Sequence, residues 1–171
     1  MTDRDALDDI RDQWRIARPD LEPDMVAAMT AVGRLNRLRH HVDHVLRTYF
    51  APHGLDFSEF DVLATLRRAG GAEGVSAGTL LRSAMVTSGA ITNRVDKLTA
   101  KGLVERSVAP DDRRSVLVRL TPEGLRLVDA ILIGHLENEA RFLAPLSPAE
   151  LDTLNDLLRK LLIGRGDTTL G

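Results

Sequence analysis

Three short stretches of this sequence carry residues whose types and spacing could do chemistry. The run APDDRRSVLVRLTPEG (109–124) sets Asp111, Asp112, Arg113 and Arg114 among turn formers, just before an alternating apolar run. Adjacent exposed arginines suit phosphates or other anions, because the guanidinium is a planar fork of donors that keeps its charge. The run SGAITNRVDKL (88–98) brings Asn93, Arg94, Asp96 and Lys97 within two helical turns. The run RHHVDH (39–44) spaces His40 and His44 as two metal ligands on one helix face would be. A metal needs further donors, however. The chain has no cysteine and only His53 and His135 elsewhere, so no metal site is assigned and these histidines are read as surface or pocket-lining groups.

Enzyme chemistry finds little support. There is no GxSxG elbow, no glycine-rich phosphate loop, no cysteine nucleophile and no carboxylate pair with a base. The expectation is a protein that is not an enzyme and needs no cofactor. The absence of cysteine excludes disulfides and thiolate metal sites. No apolar run approaches the roughly 18 residues that a membrane span requires, and the acidic start MTDRDALDDIRDQW reads as neither a signal nor a transit peptide. A cytoplasmic location is expected.

The overall charge of −2 argues against a uniformly basic nucleic-acid binder, but the charge is unevenly spread. Residues 1–35 hold five Lys+Arg against eight Asp+Glu, residues 76–126 nine against five, and residues 132–171 four against six. The middle segment is therefore positive by four charges, which is what a localised phosphate contact needs.

The elements that would position these residues are mostly helical. Leu7, Ile10, Trp14 and Ala17 form a helical stripe that Pro19 ends. A longer helix is expected from about Asp24 to Phe50, with Met25, Met29, Val32, Leu35, Val42, Val45 and Tyr49 on one side, stopped by APHG. The next helix is expected to open at Ser58 with Asp61 in the capping box, carry Val62, Leu63 and Leu66, and end at Gly70. Ser76 then caps a short helix and Thr87 a second, which Gly102 closes. Two strands follow, LVERSV (103–108) and VLVRL (116–120), joined by the basic loop. Thr121, Pro122 and Glu123 start a long helix to about Leu143, with Leu125, Val128, Leu132, Leu136 and Phe142 on one side. SPAE (147–150) is a capping box for a last helix bearing Leu151, Leu154, Leu158 and Leu161 as far as Gly164.

Two short helices followed by a β-hairpin with a basic tip form a winged helix-turn-helix. The fold class expected is mainly α (α+β). The chain divides into N-terminal helices (1–54), a winged lobe (55–120), C-terminal helices (121–164) and a tail (165–171). The terminal helices are more apolar than a monomer of this shape could bury. That points to an intertwined homodimer whose two-fold axis places two recognition helices about one DNA turn apart.

SGAITNRVDKLTAKGLVERSVAPDDRRSVLVRLTPEG resembles the MarR family of dimeric winged-helix transcriptional regulators, over roughly residues 25–164. The most specific match is Asp112, Arg114 and Ser115 in the wing, followed at the expected distance by LTPEG. The resemblance implies a regulator, expected to be a repressor, that binds a pseudo-palindromic double-stranded operator. Ile91, Val95 and Leu98 make the inward stripe of the recognition helix. Ser88, Gly89, Thr92, Asn93 and Lys97 then face DNA, where Asn can pair with adenine and Gly89 permits close approach. A basic residue is common in the family where Asn93 stands. Arg114 resembles the family's minor-groove arginine, Arg113 would reach the flanking phosphates, and Asp112 would brace an arginine. The plainer readings are a solvated helix face and a solvated hairpin tip.

Arg94 flanks the inward stripe, and a guanidinium on a core-facing side needs a partner. A narrower resemblance enters here, to MarR regulators that respond to urate or related small anions. These have an extra N-terminal helix with a Trp, an Asp early in the second core helix and an Arg in the recognition helix, matched by Trp14, Asp61 and Arg94. The resemblance implies that Arg94 pairs with an anionic effector, Trp14 covers its planar face, and Asp61 is displaced so that DNA is released. Urate is the implied effector, with carboxylates such as aconitate or citrate as the alternative. Against this stand an Asp61 that only caps its helix and a Trp14 that only fills core. A winged-helix module for protein contacts, without DNA binding, is the competing function.

Overall fold

The computed structural model describes residues 3–70, 74–76, 78–80, 91–109 and 116–169. The chain forms two compact units, Met1–Leu46 and Arg47–Gly171, with the long second helix running from one into the other.

The first unit holds α1 (Ala6–Ala17) and most of α2 (Pro23–Phe50). A reciprocal cap starts α1: Asp5 accepts from the Leu7 and Asp8 backbone N–H groups, and the Asp8 carboxylate accepts from Asp5 N–H. Arg34 of α2 reaches back to Asp5 (2.8 Å) and Asp8 (3.1 Å). That guanidinium holds the Asp5 carboxyl down to about 2. Leu7 lies over Gly33, where a Cβ would stand 2.5 Å from Leu7 Cδ1. The side of α2 expected to be buried differs from the one observed. Val26, Thr30, Leu46 and Phe50 are buried, whereas Met25, Val32 and Leu35 are exposed. The helix is apolar on two sides, so periodicity gave weak contrast between them.

The second unit contains a 3-10 turn (Ala51–His53), α3 (Phe57–Ala69), β1 (Val75–Ser76), α4 (Ile91–Ala100), β2 (Val104–Val108), β3 (Val116–Leu120), α5 (Pro122–Leu143) and α6 (Pro148–Ile163). The capping box of helix α3 lies two residues earlier than expected. Its N-cap is Asp56, which accepts from Glu59 N–H (2.9 Å), while Glu59 Oε2 accepts from Asp56 N–H (2.9 Å). Asp61 therefore takes no part in the capping box; it lies in the second turn and is buried. The Asp56 carboxyl is held below the ordinary carboxylate range by the hydrogen bonds it accepts, which outweigh the opposing cost of its partial burial.

The sheet has three strands in the order β1-β3-β2, all antiparallel, and not the two expected. Val104 faces Leu120, Arg106 faces Val118 and Val108 faces Val116; on the other edge Val75 faces Val118. Strand β1 is two residues long and exists by pairing with β3, so no local alternation announced it. Ser76 also starts the following turn, its Oγ accepting from Thr79 N–H (3.1 Å).

The LTPEG segment explains itself in space. Thr121 N–H donates to the Leu103 carbonyl (3.1 Å), Thr121 Oγ1 donates to the Gly102 carbonyl (2.7 Å), and the same hydroxyl caps α5 by accepting from Gly124 N–H (3.0 Å). A Cβ on Gly124 would stand 2.0 Å from the Leu103 oxygen, so only glycine fits.

Helix α5 buries Gly124, Val128, Ile131 and His135. Leu125 and Leu136, expected on its core side, are exposed. His135 sits among aromatic rings, 5.2 Å from Phe50 and 4.9 Å from Phe60 between centroids, and Phe50 stacks on Phe60 at 4.5 Å. Tyr49 Oη donates to the Ile131 carbonyl (2.7 Å). Helix α6 has the expected Ser147/Glu150 capping box but buries no residue; Leu157, Leu158, Leu161 and Leu162 are all exposed.

Two outcomes follow from this core. Gly124→Ala forces α5 off the Leu103 carbonyl, an overpacking worth about 1–3 kcal/mol, and is expected at the upper end of that range as a lower urea midpoint with unchanged slope. Burial lowers the proton affinity of His135, against a weaker pull upward from Glu139. The unfolded chain therefore binds this proton first. Stability is full above about 6.5, the unfolded value, and falls as the pH drops below it. Urea unfolding between about pH 7.5 and 5.5 should show that acid-side loss in the native chain and a flatter profile in His135→Leu.

Candidate nucleic-acid interface

Helix α4 has two faces. Ile91, Val95 and Leu98 are buried, and α3 packs against them; Thr92, Asn93, Asp96 and Lys97 are exposed. This is the division expected from their spacing. The polar residues stand on a surface, where a nucleic acid can reach them, with the apolar stripe fixing the rotation of the helix.

The C-terminal end of α4 is firmly tied. Gly102, at φ +70°, donates to the Thr99 carbonyl (2.9 Å), and Leu103 N–H donates to the Leu98 carbonyl (3.0 Å), a left-handed glycine closure. Lys101 Nζ donates to Glu59 Oε1 (2.7 Å) and to the Gly54 carbonyl (2.8 Å). Glu59 is buried, so one carboxylate caps α3 and anchors the end of α4. At mid-helix, Arg106 of β2 pairs with Asp96 (2.7 Å). Neither tie shows in the sequence, because each joins residues ten or more apart that look locally like ordinary charged side chains.

Ser88, Gly89, Asp112, Arg113 and Arg114 lie outside the described residues, as does Thr87. Their flanks are described: Val108 and Val116 are paired across β2 and β3, so the basic segment between them joins two adjacent strand ends, as a wing does.

The chain matches the MarR family over residues 53–115. It is 37% identical to the HTH-type transcriptional regulator PecS of Dickeya dadantii over 155 residues, covering 91% of this chain and 92% of PecS. It is 34% identical to the multiple antibiotic resistance protein MarR of Escherichia coli over 142 residues, covering 81% of this chain and 96% of MarR. The chain belongs to the MarR family. It is a DNA-binding transcriptional regulator with a winged-helix fold, and not an enzyme. A mutant of E. coli MarR complexed with operator DNA superposes with a TM-score of 0.70 at 30% identity, over 79% of this chain and 96% of that one. Bordetella bronchiseptica BpsR, whose DNA binding is regulated by 6-hydroxynicotinic acid, superposes with a TM-score of 0.69 at 27% identity, over 75% of this chain and 90% of that one.

Within this MarR-family lobe, two of the three effector residues expected from sequence lie on packed helices. Asp61 is on α3 and Arg94 on α4. Arg94 is half-buried, and its Nη1 is fully buried with no hydrogen-bond partner among the described residues. Thr65, one turn after Asp61 on α3, is buried too, and its hydroxyl also lacks a partner among the described residues. Trp14 belongs to α1 in the first unit and is 44% exposed, so it is not plain core within this chain. A cleft of about 540 Å³ beside Leu66, Leu120 and Leu125 contains two further arginines. Both are already paired, Arg67 with Asp129 (2.8 Å) and Arg119 with Glu105 (2.7 Å), so neither is left over for an anion. No group of three or more His, Asp or Glu side chains able to hold a metal occurs among the described residues.

Removing Glu59 tests how far α4 depends on its tie. Breaking a buried ion pair costs roughly 3–5 kcal/mol, but Lys101 is partly exposed and can return to water, so Glu59→Ala is expected to cost about 2 kcal/mol in chemical unfolding. Lys101→Met, which leaves the carboxylate buried and unpaired, should cost at least as much.

Proposed function

We propose that this regulator is a homodimeric repressor that binds a pseudo-palindromic operator and is released from it by a small planar anion held at Arg94. The observation that carries the effector site is the buried Nη1 of Arg94, which has no hydrogen-bond partner among the described residues. A cation in that position costs free energy in the empty protein and rewards an anion that supplies the missing acceptor. In this reading Asp61, buried on α3, which packs against α4, is displaced or repelled by the entering anion, and the recognition helix shifts. Trp14 offers the aromatic face that a planar ligand needs. Urate fits this set best. That BpsR responds to 6-hydroxynicotinic acid, another planar heterocyclic acid, supports the same class. A tricarboxylate such as aconitate or citrate is the second choice, since it satisfies Arg94 but has no use for Trp14.

DNA is read by the exposed side of α4, through Thr92, Asn93 and Lys97 with Ser88 and Gly89 before them, and by the wing through Arg113 and Arg114, with Asp112 as the brace. The operator complex of the E. coli relative supports this assignment. Dimerisation is supported by apolar side chains left uncovered on α2, α5 and α6, among them Val32, Leu35, Ile133, Leu157 and Leu161. A protein that works on chromosomal DNA in this way acts in the cytoplasm.

The test uses operator release. Wild-type protein is bound to a duplex it selects from a random pool, and urate, 6-hydroxynicotinate and citrate are titrated in. Urate should release the wild type and raise its melting temperature. Arg94→Ala should still bind the duplex but no longer release it. Unchanged release by Arg94→Ala would remove Arg94 from the effector site, and release by citrate alone would favour the second reading.

A further inference from the structure

Asp96 poses an electrostatic problem for a DNA-facing helix. It is exposed on α4, among Thr92, Asn93 and Lys97, and a carboxylate there is repelled by any phosphate that approaches. Its partner Arg106 comes from β2, with the guanidinium 2.7 Å from the carboxylate. The side chains are 56% and 38% exposed. Ion pairs as open as this contribute little to folding stability. Their influence on an approaching polyanion is a different matter, since the local sign of the surface sets whether phosphates are drawn in or driven off.

The placement of Arg106 adds a geometric role. It faces Val118 across the sheet, on the side of β2 that meets α4, and two residues further on Val108 pairs with Val116 at the start of the wing segment. The Asp96–Arg106 contact therefore links the recognition helix to the strand that carries the wing. Ile91, Val95, Val116 and Val118 line a mostly apolar cleft of about 220 Å³ beside it, and there the ion pair is a directional polar bond, which fixes an angle where apolar contact does not.

We propose that Arg106 is a positioning residue for operator recognition: it neutralises Asp96 on the DNA-facing surface and locks α4 to the wing strand, so that major-groove and minor-groove contacts are held at one fixed spacing. Asp96 is the matching specificity element, a carboxylate tolerated only when Arg106 holds it. The proposal rests on the assignment of the exposed α4 face to DNA.

The test is a double-mutant cycle read by fluorescence anisotropy on a duplex that the wild-type protein selects from a random pool, with a scrambled duplex of equal length beside it. Arg106→Met keeps the aliphatic stem and should leave the melting temperature nearly unchanged while weakening operator binding roughly tenfold or more. Asp96→Asn in the same background should restore most of that loss, because the repulsion goes with the carboxylate. Asp96→Asn alone should bind at least as tightly but discriminate less between selected and scrambled duplexes. Arg106→Lys, which keeps the charge, should stay near wild type. If the double variant is as weak as Arg106→Met, neutralising Asp96 is not what Arg106 does for operator binding and the proposal is wrong. If Arg106→Met binds like wild type, the pair does nothing and the proposal is equally wrong. Lys97→Ala separates the two levels of the account. Weakened binding by Lys97→Ala with an additive cycle overturns the joint alone, whereas unchanged binding by Lys97→Ala overturns the assignment of the α4 face and the joint with it.

Discussion

The C-terminal end of helix α4 is tied down twice, and the lobe is organised around those ties. On one side the Glu59 carboxylate, buried at the start of α3, holds Lys101, which also reaches the Gly54 carbonyl. On the other, the Leu103 carbonyl accepts from Thr121 at the start of α5, at a separation that tolerates no side chain on Gly124. Helices α3 and α5 are thus each tied to the short segment that follows α4, the first through Lys101 and the second through Leu103. Helix α4 is anchored at its C-terminal end and packed along one face by Ile91, Val95 and Leu98.

In the proposed mechanism that arrangement links a small effector to the operator. Arg94 lies in the middle of α4, half-buried, with one nitrogen unsatisfied among the described residues. On the proposal that an anion binds there, it would act directly on the helix whose exposed side is assigned to DNA. The free energy needed is small. A regulator that is mostly bound without ligand and mostly released with it requires only a few kcal/mol of differential affinity, which one charge-assisted contact in a buried setting can supply.

Much of this was legible in the sequence, and what was missed has a physical pattern. The Ser147/Glu150 box, the Thr121 cap, the Gly102 closure and the division of α4 into inward and outward residues all depend on spacing within a few residues, and all stand in the structure. The start of α3 was placed late because DFSE and SEFD both show a capping residue three before an acid. Only the observed bonds choose Asp56 with Glu59 and leave Asp61 buried. Strand β1 was missed because two residues have no period; its identity comes from β3. The core sides of α2 and α5 were misjudged because each helix is apolar on two sides, as happens when one is left for something outside the chain. Leu125 and Leu136 fit a helical stripe as well as Ile131 and His135 do, and periodicity does not say which stripe this chain covers. The ties at Glu59 and Arg106 were invisible for a simpler reason: each is an ordinary charged residue until its partner is seen.

The proposed release of DNA by an anion held at Arg94, with Trp14 over its planar face, is open to a direct test. Trp14 is the single tryptophan of the chain, so a contact between it and the anion would be read without labels or competing signals. Urate should be titrated into the wild-type protein on a fluorescently labelled operator duplex, with tryptophan emission, corrected for absorption by urate, and duplex anisotropy followed in the same sample. The account predicts that emission changes and DNA release share one midpoint, and that both vanish in Arg94→Ala. Release of DNA with no change in Trp14 emission, or a change in emission with the duplex still bound, would contradict it.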